Sequence, residues 1–312
     1  MSETVRVIRG ERESAYLVAE EREDGSLLLV PAQSDVVAVR AGAGDAPAAV
    51  APASVVPTTE AILDVDGLSV AYGDQLAVSD LSFQIRRGEI FGFLGPNGAG
   101  KTSTLSAIEG LVKPRSGAVL LDGIEVRSHP MQAKARMGVQ LQATSFQAEL
   151  TITQIVRLYA GLYGVELSAQ QISENLKEIG LGAEADKRFK QLSGGQQQRL
   201  SLYVAVVHSP LLLLLDEPTA GLDPQSRRQL WTRIQSIRQG GGSILLTTHS
   251  MEEAQAVCDR VAIIDHGVLL TADTPARLIE KHREDPKVRA VAHGEVTLED
   301  VFIGLTGSEI RE

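Results

Sequence analysis

The sequence predicts an α/β fold with a mostly parallel sheet, and three observations predict it. Short apolar runs recur at residues 62–65, 90–94, 118–121, 137–141, 211–215, 244–247 and 261–264. Helical periodicity lies between several of them, and strands alternating with helices imply parallel pairing. Two of the runs then end in chemistry. Residues 90–94 enter the glycine-rich string GPNGAGKTS, and 211–215 ends in Asp216 and Glu217. Ligands of open α/β sheets bind outside the carboxyl ends of strands, where both features fall.

Along the chain, residues 1–40 are charged and alternate weakly. Residues 14–19 and 26–30 flank Asp24-Gly25, a hairpin signal, and 36–39 is a candidate further strand. A segment of about 40 residues builds a poor core by itself. A small β unit packed on something else and a poorly ordered extension both stay open. Residues 41–60, AGAGDAPAAVAPASVVPTTE, have linker composition, semi-extended because of the prolines. The α/β pattern begins after it. Residues 143–200 read as helical with no convincing strand. Ile152, Ile155, Val156 and Tyr159 share one helical face, and Ile172, Leu176 and Ile179 another. Thr151 with Gln154, Ser168 with Gln171 and Ser250 with Glu253 have the spacing of capping boxes. Asp223-Pro224 places a cap before an N1 proline. No internal repeat is present.

Composition narrows the function classes. The chain has 312 residues, 43% of them hydrophobic, enough for one large or two modest domains. The net charge of −10 argues against a general nucleic-acid binder, and no nucleic-acid partner is expected. The one cysteine, Cys258, reads as a small core residue and fits a reducing compartment. The start MSETVRVIRGERES lacks the apolar stretch of a signal peptide. No run reaches the roughly 18 apolar residues of a spanning helix, so a soluble or peripheral protein is expected.

Residues 95–103 form a P-loop. Gly95, Gly98 and Gly100 let the backbone turn its N–H groups toward phosphates, and the helix that follows adds positive potential. Lys101 reaches the β- and γ-phosphates, and Thr102 offers its hydroxyl to Mg²⁺. Asp216 at a strand end suits Mg²⁺, and Glu217 suits a general base for an attacking water, worth roughly 10²–10⁴ in rate. Leu192 to Gln196 read LSGGQ, with Ser193, Gly194 and Gly195 at a helix start.

The P-loop, LSGGQ and LLLLLDEP, in that order, resemble the ATP-binding cassette family, the motor subunits of ABC transporters. The resemblance covers residues 61–275, leaving 276–312 as a tail, and no catalytic position departs from the pattern. It implies a RecA-like P-loop NTPase core, an antiparallel β subdomain and an inserted helical subdomain over 143–200; residues 1–60 have no counterpart in it, and the hairpin signal makes 1–40 a small β-rich appendage. ATP and Mg²⁺ are the implied cofactors. Pro96, Asn97, Ala99 and Ser103 join the glycines, Lys101 and Thr102 around the phosphates, and Tyr72 stacks on adenine. Glu217 acts as base and His249 contacts the γ-phosphate. Thr102, Asp216 and Gln142 hold the metal, Gln142 also sensing the membrane partner, with Gln140 the competing glutamine. Ser193, Gly194, Gly195 and Gln196 contact the ATP of a second cassette, and Asp223 lies in the loop that crosses between the two. A dimer is thus implied, either two copies of this chain, the expected form, or one with a different cassette. A separate polytopic permease is implied too, holding the chain at the cytoplasmic face of the cell membrane.

TLEDVFIGLT (297–306), VQLQ and THSMEEAQAVCDR (248–260) resemble bacterial drug and antibiotic exporters of the daunorubicin-resistance type. The tail helix is equally readable as an amphipathic helix packing on its own domain. Two rival classes carry less. A soluble cassette ATPase acting on ribosomes or DNA usually has two cassettes, long coiled coils or zinc modules, none of which appears. A non-hydrolysing module would not need intact Lys101, Glu217 and His249.

Overall fold

The computed structural model describes residues 4–9, 12–21, 27–31, 61–140 and 146–307. The chain divides into two compact units, Met1–Val56 and Pro57–Glu312. In the first, β1 (Thr4–Arg9), β2 (Arg12–Glu21) and β3 (Leu27–Pro31) form an antiparallel sheet in that order. Val5 pairs with Tyr16, and Leu17 with Val30. The candidate strand at 36–39 and the linker 41–60 lie outside the described residues.

The second unit opens with β4 (Ala61–Tyr72) and β5 (Gln75–Arg86), a long hairpin. With β7 (Ser116–Leu121) and β8 (Ile124–Glu125) they make an antiparallel sheet, order β5-β4-β7-β8. The main sheet has the order β13-β12-β6-β11-β10-β9. Its strands are β6 (Ile90–Leu94), β9 (Met137–Gln140), β10 (Leu212–Asp216), β11 (Ser243–Thr248), β12 (Arg260–Asp265) and β13 (Val268–Asp273). All neighbours pair in parallel except β13, which returns antiparallel to β12.

The leucine run of β10 shows why the sheet is central. Leu212 and Leu214 join one core cluster and Leu213 and Leu215 the other, so both faces are covered and no alternation is needed. The first cluster binds the two sheets together. Phe83 of β5 packs against Phe91 and Phe93 of β6 at 5.5 and 5.3 Å between ring centres, each pair worth about 0.5–1.5 kcal/mol beyond its buried area.

Helices cover both faces. α1 (Lys101–Ile108) contributes Ala107 and Ile108 to the first cluster, beside α2 (Pro130–Lys134). On the other face lie α6 (Pro224–Gln239), α7 (Met251–Val257), α8 (Pro275–His282), α9 (Pro286–Val291) and α10 (Leu298–Thr306). Leu298, Val301 and Phe302 of α10 share that core with Met251 and Ala254 of α7. Cys258 is buried against Gly92 of β6, where an added Cβ would lie 2.8 Å from Sγ, and burial pushes its thiol pKa up.

Between β9 and β10 the chain is helical: α3 (Ile152–Leu162), α4 (Ala169–Glu178) and α5 (Gly194–Val206). These helices build their own core from Ile152, Ile155, Val156, Ile172, Leu176 and Leu200, among others. Thr151, Ser168 and Ser193 close capping boxes with Gln154, Gln171 and Gln196. The pair Ser250 and Glu253 does not. Ser250 Oγ accepts from the Glu253 N–H, but the Ser250 N–H donates to Thr248 Oγ1 and the Glu253 carboxylate turns inward. Among the described residues no helix is long and apolar enough to cross a membrane.

Candidate active site

Three neighbouring strands end side by side. Leu94 of β6 pairs with Thr248 of β11, and Thr247 of β11 with Asp216 of β10. The P-loop, the two acids and His249 therefore leave the same edge of the sheet.

Residues 95–100 turn from β6 into α1. Gly98 and Gly100 have φ of 83° and 102°, reached at low cost only without a side chain. At Gly100 a Cβ would also fall 2.7 Å from the Ala77 carbonyl oxygen of β5. As N-cap of α1, Gly100 supplies no side-chain acceptor, so the first N–H groups of the helix are left to a ligand. Lys101 begins α1 only 7% exposed, and its Nζ donates to the carbonyls of Gly95 (2.6 Å) and Pro96 (3.1 Å). Burial lowers its pKa, while Glu217 and Asp216 raise it. The amine thus sits between the loop and the acids. Ala99 is buried, Asn97 and Thr102 are exposed and Ser103 is half-buried. Tyr72, at the tip of the β4–β5 hairpin, is 53% exposed, an open ring on the hairpin that backs the P-loop.

At the end of β10, the buried Asp216 accepts from Thr247 Oγ1 at 2.6 Å. That hydroxyl accepts in turn from the Glu217 N–H at 2.9 Å. Glu217 is in the left-handed region (φ 45°), a conformation costing a non-glycine residue roughly 1–3 kcal/mol and concentrated at functional sites. The Thr247 bond helps hold it there. His249 Nδ1 lies 3.7 Å from Glu217 Oε2, with the histidine side chain 55% exposed and the glutamate 16%. An exposed hydroxyl at a helix start and a buried carboxylate beside it are the hard oxygen donors that Mg²⁺ takes, so Thr102 and Asp216 fit the metal. Gln142, the third expected ligand, lies outside the described residues. Gln140 is buried on β9, and among the described residues its side-chain amide has no hydrogen-bond partner.

The LSGGQ string stands on the helical segment. Ser193 Oγ accepts from the Gln196 N–H at 3.3 Å, and the Ser193 N–H donates to Gln196 Oε1 at 3.0 Å. Gly194 is exposed. Gly195 lies against α6, where a Cβ would approach Ser226 Oγ to 2.8 Å. Ser226 Oγ donates to Asp223 Oδ2, and Asp223 Oδ1 accepts from the N–H groups of Gln225 and Ser226. Those bonds lower the Asp223 pKa. Gln198 Nε2 donates to the Pro218 carbonyl at 2.6 Å, joining α5 to the loop after Glu217.

Sequence reading missed Thr247, Gln198, Thr219 and Glu253. Thr247 shares its strand with the hydroxyls of Ser243 and Thr248 and carries no signal of its own. Glu253 is obscured by its cap spacing. Its buried carboxylate instead accepts from Thr219 Oγ1 at 2.8 Å and Thr248 Oγ1 at 3.4 Å, and lies 3.3 Å from Arg227 Nε.

The chain is similar to known proteins in sequence and fold. The ABC transporter family model matches residues 78–220. Nod factor export ATP-binding protein I of Cupriavidus metallidurans is 33% identical over 303 residues, 81% of this chain and 99% of the relative. The protein of the same name from Burkholderia orbicola is 40% identical over 220 residues, 70% of this chain and 72% of the relative. A solved ATP-binding subunit of an ABC transporter superposes with a TM-score of 0.69 at 28% identity, covering 78% of this chain and 99% of that one. From the phosphate loop to the relatives the observations agree, and the chain belongs to the ATP-binding subunits of ABC transporters, the ATPases that power transport.

Proposed function

We propose that this chain is the motor of an exporter, that it dimerises on ATP, and that it drives a separate polytopic permease from the cytoplasmic face of the cell membrane. The observation that carries the reading is the convergence of Lys101, Asp216, Glu217 and His249 at one sheet edge, beside an uncapped helix start.

In this reading the P-loop N–H groups and Lys101 bind the β- and γ-phosphates, and Tyr72 stacks on the adenine. Glu217 accepts a proton from the attacking water. His249, reaching from β11, contacts the γ-phosphate. Thr102, Asp216 and Gln142 would hold Mg²⁺, which would supply neutralisation of phosphate charge. Ser193, Gly194, Gly195 and Gln196 of a second copy cover the same γ-phosphate, and Asp223 lies in the loop crossing between copies. ATP then favours the closed dimer, and hydrolysis removes the contacts that favour it, a population shift set by differential affinity.

Relatives named for Nod factor export support the export direction. The TLEDVFIGLT helix and the VQLQ string support the drug-exporter subgroup, and drug-like or other amphipathic compounds are the proposed cargo. The test uses Glu217→Gln, which holds ATP unhydrolysed. The variant is captured from detergent-solubilised native membranes in ATP. Recovery of one polytopic membrane protein, with wild-type ATPase activity rising in its presence, is the expected result. Recovery of ribosomes or DNA-processing proteins without a membrane protein would overturn the transport reading.

A further inference from the structure

Glu253 stands outside the residues that face ATP, yet its carboxylate joins the segments that carry them. Its side chain is 7% exposed and Arg227 beside it is 44% exposed. Glu253 Oε2 accepts from Thr219 Oγ1 at 2.8 Å, and Thr219 lies in the loop that runs from Glu217 to Asp223. The same oxygen accepts from Thr248 Oγ1 at 3.4 Å, on the residue before His249. Oε1 faces Arg227 Nε at 3.3 Å, one turn into the helix that Asp223 caps. Thr248 Oγ1 also accepts from the N–H of Ser250, the residue after His249. One carboxylate therefore links Thr248, and through its hydroxyl Ser250, on either side of His249 to the loop of Glu217 and the helix of Asp223. Hydrogen bonds to an ionised acceptor are about twice as strong as neutral ones, which suits a joint of this kind. Helix capping does not need this carboxylate, because Ser250 Oγ already accepts from the Glu253 N–H.

We propose that Glu253 is a positioning residue that couples His249 to the Glu217–Asp223 loop, so that the two sides of the hydrolytic site move as one body. The inference rests on the reading of His249 and Glu217 given above. A residue that acts through His249 has little left to lose once His249 is gone, and a thermodynamic cycle measures that directly. Steady-state ATPase rates are measured for wild type, Glu253→Ala, His249→Ala and the double variant.

The expected outcome is a kcat about 30–100-fold lower for Glu253→Ala with KM for ATP within about threefold of wild type. Adding Glu253→Ala to His249→Ala costs no more than about threefold further. Glu253→Gln keeps an acceptor for Thr219 and recovers most of the rate. Thr219→Val removes one hydroxyl at nearly constant shape and follows the same cycle at about tenfold, which keeps the test open if Glu253→Ala does not fold. Multiplying effects in either double variant would overturn the coupling. So would a lowered melting temperature or weaker ATP binding with kcat intact. Wild-type turnover in His249→Ala alone would instead sink the reading of the site, and the inference with it.

Discussion

α1 and α5 start at the two glycine-rich motifs, the P-loop and LSGGQ, and they start differently. α1 is capped by Gly100, which offers no side-chain acceptor. α5 is capped by Ser193, which closes a reciprocal box with Gln196. The first leaves its N–H groups open, on a loop already bent by two positive-φ glycines. In the second, the N–H groups of Ser193 and Gln196 are bonded within one chain. The surroundings differ too. α1 is packed into the core that joins the two sheets, whereas α5 divides its apolar residues between the small core it shares with α3 and α4 and the core on the other face of the main sheet. A helix start built for a ligand of its own chain stays open. In the proposed reading, the other meets its ligand only when two copies close, and the bonds between Ser193 and Gln196 would then exchange partners.

The largest effect expected from this contrast is at Lys101. Lys101→Ala removes a buried cation from the open helix start, and ATP affinity of the isolated chain falls at least about 100-fold, read with a fluorescent ATP analogue. Ser193→Ala leaves that affinity within about twofold, because the second helix start is not engaged in one copy. Its cost is instead loss of turnover, with about 1 kcal/mol of stability from the lost cap. Equal losses of affinity in the two variants would break the comparison.

A smaller effect sits at the other end of α1. Its C-cap, Glu109, is buried, and its Oε1 makes no hydrogen bond. Burial first and Asp216 second raise its pKa from 4.5 to about 7, against a lowering by Lys134. Below about pH 4.5 the carboxyl is protonated folded and unfolded, and costs nothing. Between there and about pH 7 the unfolded chain releases the proton first, so stability falls as pH rises. Above that range the cost is on the order of 1–3 kcal/mol. Glu109→Gln is therefore expected to be the more stable form at pH 8 and near wild type at pH 5, measured by denaturant titration without nucleotide. A stability difference independent of pH would contradict the assignment.

How much of this was legible in sequence depended on whether the partner was local. The leucine run of β10, the P-loop and the Ser168 box with Gln171 are each specified within a few residues, and the structure forms them there. β5 was not read as a strand, although its even spacing of Leu81, Phe83 and Ile85 puts all three in the core. Ser82 and Gln84 between them complete a strand alternation, a signal that a search for continuous apolar runs passes over. Glu253 has cap spacing, but its carboxylate finds Thr219, 34 residues away, and spacing cannot choose between the two. Thr247 looks like one more β-branched strand residue until Asp216 is placed beside it. α10 reads as a tail helix, and only packing shows that Phe302 completes the core under α7.

The most direct test of the account is the mass in solution of the Glu217→Gln chain with ATP and Mg²⁺, by light scattering. The expected result is a dimer in ATP, a monomer in ADP, and a monomer in ATP once Ser193→Ala is added. A Glu217→Gln chain that binds ATP yet stays monomeric at concentrations well above its working range, or a dimer indifferent to Ser193→Ala, would contradict it.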